Sequence, residues 1–249
     1  MRAGRIRGLG PLRGPPGVLK AILTDIEGTT SAIAFVKERL FPFVEAALDG
    51  FLDAHAGDPR VAAVLADVPG PDQRATLRQW MREDAKVTAL KSLQGLIWRA
   101  GYEDGRIKGH LWPDVPACLR AWHEAGVTLA VYSSGSVEAQ QLLFRHSDAG
   151  DLEGLFSGFF DTRVGAKREA ASYAAIATSL GLDPGSILFL SDVAEELDAA
   201  AASGLMTCQL VRAADGTRAC GRHADAADFP SVARRFGLPP GVTGGLARS

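Results

Sequence analysis

Apolar positions along this chain come in two patterns that take turns. The stretch "VLKAILTD" (residues 18–25) is nearly unbroken in apolar side chains, with Val18, Leu19, Ala21, Ile22 and Leu23 leading to Asp25. A run of that length without polar alternation predicts a strand buried on both faces and ending at Asp25. From Ile33 to about His55 the apolar positions return at helical spacing. Pro42 predicts a break there, since its ring and its missing N–H disturb a helix interior. Helical spacing recurs over about 72–85 and 88–100, where Leu90, Leu93, Ile97 and Ala100 make one stripe. Together these segments predict an all-helical insert reaching Pro113. Beyond it, "VPACLRAWHEAG" predicts a helix and "VTLAVYSSG" a second buried strand. The chain then alternates: a helix from about Val137, a strand near "FFDTRV", a helix over 168–180, a strand at "SILFLSD", a helix over 194–203 and a strand at "MTCQLVR". Such alternation predicts an α/β fold, a Rossmann-like parallel sheet with helices on both faces. The expected organisation is a disordered leader over 1–17, rich in Gly, Pro and Arg, a core over 18–32 and 113–236, a helical cap over 33–112, and a flexible tail over 237–249.

Composition narrows what this fold can serve. Of the 249 residues, 47% are hydrophobic, enough for one large core with a smaller satellite. The 27 basic residues stand against 29 acidic ones, which leaves no positive excess for nucleic acid or an anionic membrane surface. No stretch approaches the roughly 20 apolar residues that span a bilayer. Small molecules are the expected partners. Cys118, Cys208 and Cys220 are odd in number and share no metal-type spacing, so they read as reduced thiols of a cytoplasmic protein. The histidines at 55, 110, 123, 146 and 223 show no ligand spacing either.

In open parallel sheets, ligands bind outside the carboxyl ends of the strands. The residues expected there are Asp25 and Glu27 after the first strand, Ser133 and Ser134 after the second, Lys167 after the third and Asp192 after the fourth. Asp25, Glu27 and Asp192 can surround a hard divalent cation, and Mg²⁺ takes one or two carboxylates plus substrate phosphate and water. That cation and Lys167 would offset the repulsion of carboxylates crowded at a strand end, leaving Asp25 free to act as a nucleophile. Plainer roles exist for each residue: either Ser can shape the turn before Gly135 or cap the next helix, and Lys91 and Gln94 can edge the apolar stripe in solvent. The ordered set of acids, hydroxyls and Lys favours the site reading.

In this order the motifs resemble those of the haloacid-dehalogenase superfamily of aspartyl-phosphate phosphatases. The resemblance implies that superfamily's fold, with Asp25 attacking phosphorus, Glu27 where an acid protonates the leaving oxygen, Ser133 and Lys167 holding the phosphoryl group, and Asp192 completing the site of one Mg²⁺ per chain. Most phosphatases of the superfamily have Asp where this chain has Glu27, so acid/base and metal-ligand roles both stay open for it. The stretches "DIEGTTSAIAFVKERLFPF", "KVTALKSLQGLIWRAGYEDGRIKGHLWPDV", "YSSGSVEAQQLLFRHS", "FFDTRVGAK" and "LFLSDVAEELDAA" are similar, over about residues 20–212, to the enolase-phosphatases of methionine salvage, also called acireductone synthases. That likeness implies a Mg²⁺-dependent monomer converting 2,3-diketo-5-methylthiopentyl-1-phosphate, through an enol, to 1,2-dihydroxy-3-keto-5-methylthiopentene and phosphate. Its cap would choose the substrate through Lys86, Lys91 and Gln94 beside Trp98. Two other functions share parts of the pattern. A phosphatase of phosphoglycolate or a sugar phosphate would carry the same strand-end motifs. A signalling receiver module also sets acids, a hydroxyl and a Lys at strand ends, but without a helical insert after its first strand.

Overall fold

The computed structural model describes residues 18–241; the expected leader over 1–17 and the end of the expected tail, 242–249, lie outside the described residues. The first strand, β1 (Ala21–Thr24), is buried along its whole length. Ile22 packs on one side with Leu129, Val131, Leu188 and Leu190, while Ala21 and Leu23 pack on the other with Ala130, Tyr132, Ile187 and Phe189. Burial of both faces is why these strands carry unbroken apolar runs. Five further strands, β2 (Thr128–Tyr132), β3 (Phe156–Phe160), β4 (Ile187–Ser191), β5 (Met206–Leu210) and β6 (Ala224–Ala226), join β1 among the described residues in one parallel sheet of order β3-β2-β1-β4-β5-β6. Thr24 is in register with Val131 of β2 and Leu190 of β4. One step further along, Asp25 is therefore level with Tyr132 and Ser191, so Ser133 and Asp192 leave the sheet beside it. The strand order reverses at β1, which is where such sheets open a ligand crevice.

Between β1 and β2 the chain makes an excursion of helices. It comprises α1 (Ile33–Phe35), a π-helical turn (Val36–Leu40), α2 (Phe41–Ala54), α3 (Pro59–Ala66), α4 (Gln73–Arg82) and α5 (Thr88–Glu103). The break expected at Pro42 is a widened turn instead. Pro42 has no N–H to give the preceding turn, and the backbone answers by letting Phe41 N donate five residues back to Val36 O. Asp58 and Asp72 cap α3 and α4 by accepting from Arg60 N and Ala75 N. Val44, Leu48, Val61, Leu77, Leu90, Leu93 and Ile97 form a core that belongs to these helices alone.

On the sheet, α6 (Val115–Glu124), α7 (Val137–Arg145) and α10 (Phe229–Phe236) cover one face, and α8 (Ala170–Leu180) and α9 (Ala194–Ala202) the other. The strand expected at "FFDTRV" lies earlier than the sequence pattern placed it. Asp161 Oδ1 accepts from Arg163 N at 2.9 Å, a turn that ends β3 at Phe160. Upstream, Ser157 and Gly158 interrupt the apolar pattern where the register with β2 shifts, so a bulge hides the start of the strand. The pattern also left out β6, which has three residues and little apolar surface, and α10. The latter did have a signal, Asp228 accepting from Ser231 N ahead of Pro230 and Gly237 ending the helix. Of the tail expected to be flexible, Leu238 is buried and Pro239 O accepts from Trp122 Nε1 at 3.0 Å.

Candidate active site

The loop after β1 is wound tightly enough to fix its side chains. The amides of Thr29, Thr30 and Ser31 all donate to Ile26 O, at 3.2, 2.9 and 2.9 Å. Ile26 N donates to Asp25 Oδ1 at 2.7 Å, which sets the carboxylate's orientation. Gly28 makes the winding possible: its φ is +70°, and a Cβ there would lie 2.4 Å from Asp192 Oδ2. Bare backbone thus reaches the carboxylate that follows β4.

Lys167 enters from the loop after β3, and three hydroxyls hold that loop. Tyr132 Oη donates to Gly165 O at 2.9 Å, Ser172 Oγ to Ala166 O at 2.8 Å, and Tyr173 Oη to Lys167 O at 2.7 Å. The buried ammonium then stands between two buried carboxylates, with Nζ 2.8 Å from Asp25 Oδ2 and 2.8 Å from Glu196 Oε2. Glu196 Oε2 also accepts from Ser191 Oγ at 3.0 Å. Burial works against the charge on Lys167, but Asp25 and Glu196 outweigh it and raise its pKa. The Glu196 carboxyl is raised by burial and then by Asp25, with Lys167 pulling the other way. The paired geometry therefore keeps the cation charged in a place that would otherwise expel it.

Asp192 has no such partner. Its Oδ1 is buried and makes no hydrogen bond, and burial, followed by the charge of Asp25, pushes its pKa up to about 7. Glu27 is open to water at the cleft, yet partial desolvation by the cleft walls and the neighbouring Asp25 raise its pKa as well. An orphaned carboxylate oxygen beside a second carboxylate fits a cation. Among the described residues, no three His, Cys, Asp or Glu side chains are grouped to hold a metal ion. Mg²⁺ takes one or two carboxylates, with water and substrate oxygens in its other positions. The residues available to it are Asp25, Asp192 and Glu27.

Asp25, Glu27, Ser133, Ser134, Lys167, Asp192 and Glu196 all line one cavity of about 310 Å³ at the carboxyl end of the sheet. Helix capping does not occupy either serine. Ser136 caps α7 by accepting from Ala139 N, while Ser133 Oγ accepts from Gly135 N at 3.4 Å in the turn after β2, and both Ser133 and Ser134 line the cavity. Of the cap residues expected at the substrate, Lys86 and Lys91 are not brought to it: Lys86 is exposed and pairs with Asp84, and Lys91 is exposed. Gln94 is buried on α5 but does not line this cavity. The physical reason is the rotation of α5, whose Leu90, Leu93 and Ile97 seek the cap's own core and leave Gly95, Trp98 and Tyr102 toward the sheet domain. Glu196 is the residue that motif reasoning missed. Its signal was an acid one helical turn beyond Asp192 in "SDVAEE".

With this geometry in place, likeness to known proteins becomes informative. A family model for haloacid dehalogenase-like hydrolases matches residues 19–204. An enolase-phosphatase E1 from Granulibacter bethesdensis is 60% identical over 225 residues, covering 88% of this chain and 97% of its own. One from Gluconacetobacter diazotrophicus is 51% identical over 225 residues, covering 89% and 96%. Among solved structures, the UTR4 protein of Saccharomyces cerevisiae superposes with a TM-score of 0.74 at 32% identity, covering 85% of this chain and 98% of that one. CbbY of Rhodobacter sphaeroides in complex with phosphate, at 19% identity and a TM-score of 0.56 over 85% and 95% of the two chains, shares the fold.

Proposed function

Because the chain belongs to the haloacid dehalogenase-like hydrolases and, within them, to the enolase-phosphatases, we propose that it converts 2,3-diketo-5-methylthiopentyl-1-phosphate to the acireductone 1,2-dihydroxy-3-keto-5-methylthiopentene and orthophosphate in methionine salvage. The observation that carries the phosphatase half is the buried Lys167 held between Asp25 and Glu196 at 2.8 Å from each, beside the unpartnered Asp192. An anionic phosphoryl group entering there meets an ammonium and two serine hydroxyls. Phosphate esters are among the slowest bonds to hydrolyse, so charge stabilisation and positioning have to supply most of the acceleration.

In this reading an Asp25 carboxylate oxygen forms a bond to phosphorus as the ester oxygen leaves with its electron pair and takes up a proton. Water then cleaves the acyl phosphate, releasing orthophosphate and restoring Asp25. Lys167, Ser133 and Ser134 hold the phosphoryl oxygens. Glu27, whose pKa is raised by burial and then by Asp25, would either give the leaving oxygen its proton while protonated or, once ionised, join the metal's ligands. Mg²⁺ held by Asp25, Asp192 and Glu27 would neutralise phosphoryl charge and polarise the ketone for enolisation. The same reading has the enzyme act as a cytoplasmic monomer, and its three unpaired cysteines accord with a reducing compartment.

Steady-state kinetics on a panel of phosphate esters tests the assignment. The diketone is expected to be the preferred substrate, EDTA to abolish turnover and Mg²⁺ to restore it. Asp25→Asn keeps the shape and removes the nucleophile, and turnover should fall on the order of 10⁶-fold. Activity within tenfold of the native enzyme would remove Asp25 from that role. A hundredfold higher kcat/KM for phosphoglycolate or a hexose phosphate would leave the superfamily chemistry standing without this substrate.

A further inference from the structure

Gln140 is a polar side chain in a place that packing alone would fill with hydrocarbon. It belongs to the buried side of α7 with Leu142, Leu143 and Phe144, and only 1% of it is exposed. Both hydrogens of its Nε2 go to backbone carbonyls, Gly135 O at 2.8 Å and Phe160 O at 2.9 Å. Those two acceptors fix the orientation of the amide, because reversing it would set Oε1 against two carbonyl oxygens. Oε1 is left buried without a hydrogen bond. An orphaned buried acceptor is destabilising, and Met or Leu here would avoid it. A local rule broken in this way points to a side chain retained for what it does at a site.

What the amide joins is two strand ends. Phe160 is the last residue of β3, whose following loop carries Lys167, and Phe160 O also accepts from Ser133 N at 3.1 Å. Gly135 belongs to the turn after β2 that carries Ser133 and Ser134. Ser134, Gly135 and Ser136 are exposed, so this turn has little packing of its own to hold it. At its far end Ser136 O accepts from Gln140 N at 3.0 Å, in the first turn of α7. The Gln140 side chain thus ties the serine turn to the carboxyl end of β3.

We propose that Gln140 is a positioning residue for phosphoryl binding, setting where the Ser133 and Ser134 hydroxyls stand relative to Lys167. The proposal rests on the phosphatase reading and deepens it. Gln140 itself does not line the phosphoryl cavity, so it acts through the turn. Donors aimed at developing charge lose their effect steeply when displaced, and a misplacement of about 1 Å can lower the rate about 100-fold.

Gln140→Met keeps the side chain's length and removes both donors, and Gln140→Leu repeats the loss in another shape. The test follows kcat/KM on the diketone phosphate and on p-nitrophenyl phosphate, which share only the phosphoryl group. Both should fall by about the same factor, roughly 100-fold. The melting temperature should stay near the native value, because the orphaned Oε1 leaves with the amide and Phe160 O keeps Ser133 N. The same substitutions are then made in a Ser133→Ala, Ser134→Ala background. With the hydroxyls gone their placement no longer matters, so Gln140→Met should there lower kcat/KM by less than about threefold. An undiminished loss in that background, a loss on the diketone alone, or single variants within about threefold of native overturns the proposal. Variants that no longer fold overturn it too, by making Gln140 part of the framework. Native enzyme inactive on both esters would instead overturn the phosphatase reading, and the proposal with it.

Discussion

Asp192 keeps its proton to higher pH than an ordinary carboxyl, and in the proposed function that proton has to leave before a cation binds. Burial and the charge of Asp25 move its pKa from 3.8 to about 7. Between those values the folded protein holds a proton there that the unfolded chain has lost. The folded state then binds more protons than the unfolded one, so stability falls as pH rises through that window and levels off above it. Glu27 and Glu196, raised for the same first cause, add in the same direction. A bound cation has to displace this proton, so its apparent affinity weakens as pH drops below about 7. Titration calorimetry is expected to find Mg²⁺ bound about tenfold more weakly at pH 6 than at pH 8, and Mg²⁺ should raise the melting temperature more at pH 8. Equal affinities at the two pH values would take Asp192 out of the ligand set.

The segment after β5 does for the elements what the β1 loop does for the residues. Its buried Arg212 donates from Nε and Nη2 to Thr29 O at 3.2 and 2.9 Å, and from Nη1 to both oxygens of Asp114 at 2.9 and 3.0 Å. One guanidinium thus ties the chain leaving the sheet for the cap to the chain returning from it. Three residues on, the Asp215 carboxylate accepts from Ile33 N at 3.2 and 3.3 Å, capping α1, whose own N-cap residue Ala32 has no side-chain acceptor. Gln209 completes the brace: Nε2 donates to Asp192 O at 2.9 Å, and Oε1 accepts from Cys220 N at 2.8 Å. Arg212→Met should therefore destabilise the fold by about 3–5 kcal/mol, because it strands a partly buried carboxylate and a carbonyl. Arg212→Lys should recover only part, since an ammonium cannot reach both partners as the planar fork does. Urea unfolding midpoints measure both, and a native midpoint for Arg212→Met would show that water replaces the fork without penalty.

At the scale of the whole molecule, the helical insert keeps a core separate from the two that sandwich the sheet. Leu77 on α4 is fully enclosed in that separate core, and Leu77→Ala should remove about 2–5 kcal/mol there. Hydrogen exchange is expected to quicken for the amides of α3 and α4 while those of β1 and β4 stay protected. Equal acceleration in both would mean that cap and sheet open as one unit. The sequence by itself determined the buried strands β1, β2, β4 and β5, the parallel α/β class and the positions of Asp25, Ser133, Lys167 and Asp192 beyond strand ends. Those features are local: an unbroken apolar run needs two covered faces wherever it lies, and a polar residue ending such a run has to emerge at the sheet's edge. Tertiary structure decided the rest. Helical spacing marked one stripe of α5 for the cap core but could not say which neighbouring face would meet the sheet domain, so Lys86, Lys91 and Gln94 were expected beside Trp98, where Gly95 and Tyr102 stand. Glu196 became the second partner of Lys167 only once β1, β4 and the loop after β3 converged. Arg212 reaches Thr29 across 183 residues of chain, a pairing that depends on sheet order and burial, which no spacing along a sequence records.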